Sequence, residues 1–418
     1  MHALPRPLGA LERMYHRFSE LHPMQFVVAA HFKGAVEPRA LRHALSALQS
    51  HHPAFGARVV ETEAGPEMRS SEDPIPLRSA AAGTAWEKEA AKELADAFTL
   101  EPDNPTARAV FIDDGIDGER GATVLLTMVH SLADGLSGAS LLIDLSRALN
   151  GEDLGPETPS ESREQALARV PELDEVLQLG PPAGPPPLAH DELRALPTFR
   201  PFDGAEAKIF AHTLDQAFTT ELLTAARNEG TTLHGALIAA AARASKAARG
   251  TDFVRTMSPI SLLPFIGTKD GPGVFIAVAR TGGRPNGRDT FWEEARESIT
   301  ALAPARSTVG IGRSVAAIGA AMDPHVTAER AEAFMARGAL GLDVVVSNLG
   351  TTRFPAGGAV TVDAFWGPLV LTQVDGEQML GAATTNGRLA LVAVGYGMTE
   401  EFLTTVIASL RDAVIDAQ

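Results

Sequence analysis

His130 is the residue of this sequence best suited to acid–base chemistry. It follows the apolar run Val124–Val129 and precedes Asp134-Gly135. An imidazole titrates near neutral pH, and loops carried by rigid elements hold a disproportionate share of catalytic residues. We therefore expect His130 to act as a general base. The alternative is a core histidine whose ring nitrogens are bonded to backbone groups.

The residues around His130 predict the elements that position it. Val124–Val129 has the length and composition of a strand, and Gly138–Leu149 carries apolar residues at helical spacing. His130 is therefore predicted at a junction between a strand and a loop. Gly135 allows the backbone to approach a substrate closely, and its amide is a candidate donor to an oxyanion.

Several other chemistries are excluded by residue types. The sequence has no cysteine, which excludes disulfides, thiolate zinc sites and a cysteine nucleophile. The segment 135–138, Gly-Leu-Ser-Gly, misses the Gly-x-Ser-x-Gly nucleophile elbow by one residue. Histidines and carboxylates lack the close spacing of a hydrolytic zinc site, so no metal is expected.

The segment 130–135, His-Ser-Leu-Ala-Asp-Gly, resembles the active-site motif of the chloramphenicol acetyltransferase-like superfamily. This superfamily includes condensation domains and polyketide-associated acyltransferases. Further landmarks of the superfamily occur in the expected order along the chain. Pro7–Glu12 and His52-Pro53 precede the motif, and the segment 345–350, Val-Val-Ser-Asn-Leu-Gly, follows it. The resemblance covers nearly the whole chain. It implies an α/β (α+β) fold of two lobes, each a mixed sheet flanked by helices, with the active-site tunnel between them.

The resemblance also implies a reaction. His130 would take a proton from a hydroxyl or amine acceptor that attacks a thioester, and would return it to the departing thiolate. The thioester of coenzyme A or of phosphopantetheine on an acyl carrier protein is then a substrate, and no cofactor is needed. In this family the carboxylate matching Asp134 supports the site through an ion pair rather than by catalysis.

Two departures from the family pattern bear on these roles. Val129 stands where many relatives carry a second histidine. Condensation domains supply an arginine to the motif aspartate from a segment that here reads Ser258–Pro264, without arginine. The counter-ion of Asp134 is thus unidentified, although Arg255 is near that segment in sequence.

Three further residues are expected to contact substrate. Ser347 and Asn348 follow an apolar run and either stabilise the developing charge or hold a turn. Trp366 lies in the segment Asp363–Gly367, which superficially resembles an Asp-Phe-Gly-Trp-Gly motif of plant members of the superfamily. A structural strand end is the alternative for that segment.

These observations favour an O-acyltransferase of natural-product or lipid biosynthesis. Because the first histidine and the arginine segment are missing, ester formation is preferred to amide formation. A free-standing condensation enzyme that forms an amide between carrier-bound substrates is the first alternative. The second is a protein that binds or rearranges a tethered intermediate without acyl transfer.

Composition limits the partners and the location. The chain has 418 residues, of which 45% are hydrophobic, enough for two domains with sizeable cores. A net charge of −16 without a dense Lys/Arg run argues against nucleic acid or an anionic membrane as the main partner. Neither a signal peptide nor a run of the roughly 18–20 apolar residues that span a bilayer is recognisable. A cytoplasmic protein is expected, and the low lysine content suggests a GC-rich bacterial genome.

The chain is predicted to divide into an N-terminal lobe with the motif (1–180), a Pro-rich crossover linker (181–205) and a C-terminal lobe (206–418). Proline lacks the amide donor and fixes its own φ, so the segment 181–187 cannot continue a helix or a central strand. A long surface loop within one domain is the alternative. The last part is predicted to be mostly β, with Asn386-Gly387 as a hairpin turn and the strands Leu342–Ser347, Ala359–Phe365, Val370–Val374, Gln378–Thr384 and Leu389–Val394.

Overall fold

The computed structural model describes residues 4–101, 104–114, 120–178, 180, 189–267, 271–286 and 290–417. We call the chain up to residue 180 the first half and the chain from residue 206 the second half. The first half contains β1 (Arg6–Pro7), α1 (Ala10–Leu21), β2 (Gln25–Lys33), α2 (Pro38–His51), β3 (Arg58–Thr62), β4 (Gly65–Arg69), β5 (Leu77–Ser79), α3 (Trp86–Ala95), β6 (Ala107–Asp113), β7 (Gly121–Val129), α4 (Gly135–Leu149), α5 (Arg163–Leu167) and α6 (Pro171–Gln178).

A single-turn 3-10 helix, Asp191–Arg194, precedes the second half. Residues 181–188 of the predicted linker lie outside the described residues. The second half contains β8 (Lys208–Leu214), α7 (Gln216–Asn228), α8 (Leu233–Arg249), β9 (Val254–Ser261), α9 (Leu263–Ile266), β10 (Ile276–Gly283), α10 (Phe291–Arg306), α11 (Thr308–Ala321), α12 (Ala328–Gly338), β11 (Val344–Thr351), β12 (Thr361–Val370), β13 (Gln378–Thr385), β14 (Arg388–Gly395) and α13 (Glu400–Asp416).

The sheet of the first half has the order β12-β2-β7-β6-β5, and its strand β2 is buried on both faces. In β2, Phe26 and Val28 pack with α2 and α4, whereas Val27 and Ala29 belong to the core that includes α1 and strands of the second half. Because neither face of β2 meets water, its sequence is a continuous apolar run rather than an alternating one.

The sheet of the second half has the order β10-β9-β11-β13-β14-β8. The pairs β9–β11 and β11–β13 are parallel, and the other neighbours are antiparallel. Helices α8, α10 and α13 contribute to the core on one face of this sheet. The predicted architecture of two mixed sheets flanked by helices is therefore confirmed. A small third sheet has the order β1-β4-β3.

Strand β12 joins the two halves, a feature that sequence patterns did not predict. It comes from the second half but forms the edge of the first sheet, with Thr361 opposite Lys33 and Val370 opposite Phe26. It also contacts β13 and β14 of the second sheet. The polypeptide thus connects the halves through this strand as well as through the predicted linker.

One predicted strand is wrong. Val370–Val374 does not form a separate strand, because β12 ends at Val370 and a turn follows. The backbone N–H of Thr372 donates to both carboxylate oxygens of Glu377, and Gln373 has a φ of 61°. A left-handed residue cannot continue extended pairing, so the chain turns here.

The predicted turn at Asn386-Gly387 is confirmed, since these residues have φ angles of 51° and 72° and connect β13 to β14. None of the described helices has both the length and the apolar composition needed to cross a membrane.

Candidate active site

His130 lies at the predicted junction, after β7 ends at Val129 and before α4 begins at Gly135. Its backbone N–H donates to the carbonyl of Met24, just before β2, at 3.0 Å. Two neighbouring strands therefore fix the main chain of His130. Strand β7 is a central strand of its sheet, which makes this a rigid support for a side chain.

The surroundings of the imidazole favour the neutral form with a free base at Nε2. Nδ1 lies 2.9 Å from the carbonyl oxygen of Ala133. Because a carbonyl oxygen only accepts, Nδ1 carries the hydrogen and the lone pair is at Nε2. Burial lowers the pKa of His130 below its ordinary value of 6.5, although the Ala133 bond and the Asp134 charge oppose this shift. The ring is thus available as a base at neutral pH.

Asp134 ties the loop of the motif to the second half. As the N-cap of α4, its Oδ1 accepts from the backbone N–H of Ser137 at 2.8 Å. Its Oδ2 accepts from the backbone N–H of Phe275 at 2.9 Å. The Ser137 hydroxyl lies 2.8 Å from both Asp134 Oδ1 and the carbonyl of Gly273. With only 2% of Asp134 exposed, these bonds are buried.

Arg255, the arginine nearest Ser258–Pro264 in sequence, binds another carboxylate. Its Nη2 lies 2.7 Å from Asp343 Oδ1, and its Nε donates to Asp343 Oδ2 at 3.0 Å. The pair connects β9 to the residue before β11. This side chain therefore holds the second sheet together.

A cavity of about 120 Å³ brings residues of both halves together at His130. His130 is half-buried and lines this cavity with Asp134 and Gly135 from the first half and Ser347 and Asn348 from the second. Much of the remaining wall is apolar, and it includes Met14, Met24, Met257, Ile318, Met335 and Met379.

Gly135 keeps part of this cavity open. A Cβ atom added to it would lie 2.9 Å from Leu349 Cδ2 and 3.2 Å from Pro368 Cγ. Both contacts are closer than side chains normally approach, so a larger residue would displace the cavity wall. As the first residue of α4, Gly135 also has a backbone amide with no acceptor within the helix.

Asn348 holds a turn and also lines the cavity. Its Oδ1 accepts from the backbone N–H of Gly350 at 2.9 Å, which holds a turn. Its carboxamide N–H groups have no acceptor among the described residues, and the residue lines the cavity. Neighbouring Ser347 is 7% exposed and also lines the cavity.

The structure places Trp366 away from this group. Its ring stacks on Trp86 of α3, with centroids 4.9 Å apart and planes 20° apart. Trp366 is not among the described residues of the cavity wall, although Pro368 and Val370 of the same strand are. Of the three residues expected to contact substrate, Ser347 and Asn348 thus share the cavity with His130.

Sequence analysis did not single out Tyr15 and Arg163, two of the polar residues in the cavity wall. Tyr15 lies on α1 among buried Leu11 and Phe18, a spacing typical of a core-facing helix. Arg163 follows Ser162, the N-cap of α5, and belongs to no motif. Since one resembles a core residue and the other a helix start, only the tertiary structure identifies them.

Outside the cavity, His51, His52 and Asp144 place potential metal-ligand atoms within 4.8 Å of one another. His52 is bonded on both sides, with Nε2 at 2.9 Å from Asp144 and Nδ1 at 2.8 Å from the Thr158 hydroxyl. These bonds connect the end of α2 to α4 and to the segment before α5. They give the buried ring a structural role.

Comparison of sequences finds no matching family model and no matching curated protein. Comparison of structures finds proteins that share the fold over nearly the whole chain. Polyketide synthase associated protein 5 from Mycobacterium tuberculosis is 18% identical with a TM-score of 0.64, covering 99% of each chain. Trichothecene 15-O-acetyltransferase from Fusarium sporotrichioides is 11% identical with a TM-score of 0.66, covering 99% of this chain and 95% of that one.

The first condensation domain of the calcium-dependent antibiotic synthetase, solved with a substrate analogue, is 15% identical with a TM-score of 0.65. The alignment covers 100% of this chain and 97% of that one. These proteins share the architecture that the His-x-x-x-Asp-Gly motif predicted. The chain therefore has the fold of the chloramphenicol acetyltransferase-like superfamily.

Proposed function

We propose that this protein is an acyltransferase that moves an acyl group from a coenzyme A or carrier-protein thioester to a hydroxyl acceptor. The observation that carries the proposal is the orientation of His130. Its Nδ1 is bonded to the carbonyl of Ala133, so its Nε2 is a free base at a cavity that both halves line. Natural-product or lipid assembly is the expected setting.

The reaction needs a base that becomes an acid. Nε2 of His130 takes the proton of the acceptor hydroxyl while the hydroxyl oxygen forms a bond to the thioester carbonyl carbon. The C–S bond then breaks, and the departing sulfur takes the same proton from Nε2. The imidazole begins and ends neutral, and catalysis of this kind contributes roughly 10²–10⁴-fold.

The negative charge that forms on the carbonyl oxygen needs hydrogen-bond donors. The backbone N–H of Gly135 lies in the first turn of α4, where a helix dipole also favours negative charge. The carboxamide N–H groups of Asn348 line the same cavity. We assign these two donors to the oxyanion, and Ser347 to the adjoining wall.

Asp134 acts in this proposal as a positioning residue. Its carboxylate accepts hydrogen bonds from Ser137 and Phe275, so it fixes the loop between His130 and α4. The loop in turn holds the Ala133 carbonyl that selects the tautomer of His130. Asp134 therefore supports the base and takes no proton itself.

The test is release of free thiol from octanoyl-CoA, and from an octanoyl-carrier protein, in the presence of a panel of alcohols. We expect turnover by the wild-type protein and a loss of about 10²–10⁴-fold in His130→Ala. His43→Ala, an exposed histidine of α2, is the matched control and keeps wild-type turnover. Undiminished turnover by a folded His130→Ala protein rejects the proposed base.

Amide formation is the second candidate, because the condensation domain described above superposes on the whole chain. Competition between an amine and an alcohol of equal chain length separates the two reactions. Binding of a tethered substrate that is unaffected by His130→Ala, with no thiol released from either donor, would instead favour a protein without acyl-transfer activity.

A further inference from the structure

Arg163 is a buried cation in the wall of the cavity that contains His130. Only 1% of the residue is exposed, and it is the only arginine or lysine among the described residues of that wall. Burying a guanidinium is costly unless it is paired and fully bonded. The N–H groups of Arg163 that have no acceptor in the protein therefore indicate whether it can bind a further anion.

The bonds of Arg163 leave part of its guanidinium unused. Nε and Nη2 both donate to the same oxygen of Glu164, Oε1, at 3.3 and 2.9 Å. Nη1 donates to the carbonyl of Ile276 at 3.2 Å. A guanidinium has five N–H donors, so two are without an acceptor among the described residues.

Glu164 compensates the charge of Arg163 only in part. Its Oε1 also accepts from the backbone N–H of Leu11 at 3.3 Å, in the first turn of α1. A helix N-terminus carries partial positive charge, and Arg13 also acts on Glu164, although Glu12 and Asp323 act on Arg13 as well. Glu164 thus bonds Arg163 through Oε1 alone, and two guanidinium N–H groups remain for an acceptor in the cavity.

Tyr15 adds a neutral donor to the same wall. It is 6% exposed, and its ring centroid lies 5.1 Å from that of His130. Its hydroxyl has no hydrogen-bond partner among the described residues. Burial raises the pKa of Tyr15 to about 12, so this hydroxyl keeps its proton and can donate.

We propose that Arg163 and Tyr15 form a subsite for a carboxylate group of the substrate, within the cavity that contains His130. The inference rests on the proposed function in taking this cavity as the place where substrate binds. A carboxylate accepts two parallel N–H bonds from a guanidinium, and the Tyr15 hydroxyl can donate to one of its oxygens. The mostly apolar remainder of the wall then accommodates the carbon chain.

The carboxylate has two possible sources that share this chemistry. It can belong to the acyl group, as in a half-acid thioester, or to the acceptor, as in a hydroxy acid. In either case the charge anchors one end of the molecule while its thioester carbon or its hydroxyl group lies in the part of the cavity next to His130. Arg163 is then a residue that determines substrate specificity.

A binding experiment tests the subsite without requiring turnover. Calorimetric titration of the full-length protein compares hexanoate with hexanamide, which has nearly the same shape but no charge. We expect hexanoate to bind roughly ten- to hundredfold more tightly, as hydrogen bonds to charged groups predict. Arg163→Gln should abolish this preference, Arg163→Lys should keep part of it, and Tyr15→Phe should reduce it severalfold.

The outcomes separate this inference from the proposed reaction. His130→Ala should keep the preference for hexanoate, so a failure of acyl transfer does not decide the binding result. Equal affinities in the wild-type protein, or no binding of hexanoate, overturn the subsite even if an Arg163 variant fails to fold. A preference that persists in folded Arg163→Gln overturns it as well.

Two matched substrate pairs locate the carboxylate. Succinyl-CoA against butyryl-CoA varies the donor, and 3-hydroxybutanoate against 2-butanol varies the acceptor. We expect Arg163→Gln to lower kcat/KM roughly ten- to hundredfold for the carboxylate member of one pair only. An equal loss for charged and uncharged substrates shows a merely structural arginine and contradicts the proposal.

Discussion

The Oδ2 atom of Asp134 accepts a hydrogen bond from the backbone N–H of Phe275 at 2.9 Å. This bond joins the loop that carries the motif to the residue just before β10. The backbone N–H of Asp134 donates to the carbonyl of Gly273 at 3.1 Å, so the same loop is bound twice to the second half. The geometry around His130 thus depends on contact between the halves.

Asp134→Ala should destabilise the protein more than the loss of an ordinary helix cap. Removal of an exposed cap costs about 1 kcal/mol, and leaving a buried N–H without an acceptor costs about 1–3 kcal/mol more. We expect a loss of roughly 2–4 kcal/mol in the free energy of unfolding, measured by urea denaturation.

Asp215→Ala is the matched control for this substitution. Asp215 caps α7 by accepting from the backbone N–H of Phe218 at 2.8 Å, and it is exposed. Its replacement should cost only about 1 kcal/mol. Equal losses for the two variants would show that the bond between Asp134 and Phe275 contributes little.

The pH dependence of acyl transfer follows from the protonation of His130. Burial lowers the pKa of His130 from its ordinary 6.5, and only the neutral ring can accept a proton. Activity should therefore rise with pH along a limb centred below pH 6.5. Between pH 7 and 8 it should rise by less than about a third.

The measurement is kcat/KM for thiol release between pH 5 and 8, because this parameter reports ionisations of the free enzyme. Stability is recorded at each pH so that acid unfolding is not mistaken for titration. A limb centred above pH 7 would contradict a base with a depressed pKa.

Gly135→Ala should impair turnover by crowding the cavity. The new methyl group would lie 2.9 Å from Leu349 Cδ2, and overpacking of this kind costs about 1–3 kcal/mol. We expect kcat/KM to fall roughly tenfold with α4 intact. Adding Leu349→Ala removes the closest contact and should restore part of the activity. A double variant no better than Gly135→Ala would argue against crowding by Leu349.

Substitution of Trp366 distinguishes a residue that contacts substrate from one that stabilises the fold by stacking on Trp86. Because its ring lies on Trp86 at 4.9 Å, Trp366→Ala should lower the free energy of unfolding by about 2 kcal/mol and leave KM unchanged. A double-mutant cycle with Trp86→Ala should give a coupling of about 1 kcal/mol. A raised KM together with a negligible coupling energy would show that Trp366 contacts substrate.

The motif and most elements were predictable because they depend on local patterns. The strand before His130 is an apolar run, Gly138–Leu149 has apolar residues at helical spacing, and Asn386-Gly387 tolerates positive φ. The strand predicted at Val370–Val374 was wrong because Glu377 binds the Thr372 backbone and bends the chain. The apolar pattern of Val370–Val374 is compatible with a strand, and it does not show that the carboxylate of Glu377 binds the Thr372 backbone.

From the sequence alone, local periodicity predicted the strand and the helix on either side of His130, and the resemblance of the motif to a known superfamily implied the two-lobed fold. The tertiary structure alone decided which residues surround that histidine. Tyr15, Arg163 and Pro368 are far apart in the chain and share one cavity because β12 pairs with β2 and because Glu164 of α5 is hydrogen-bonded to the start of α1. Long-range pairing created these contacts, and the identity of a distant partner leaves no pattern in local sequence.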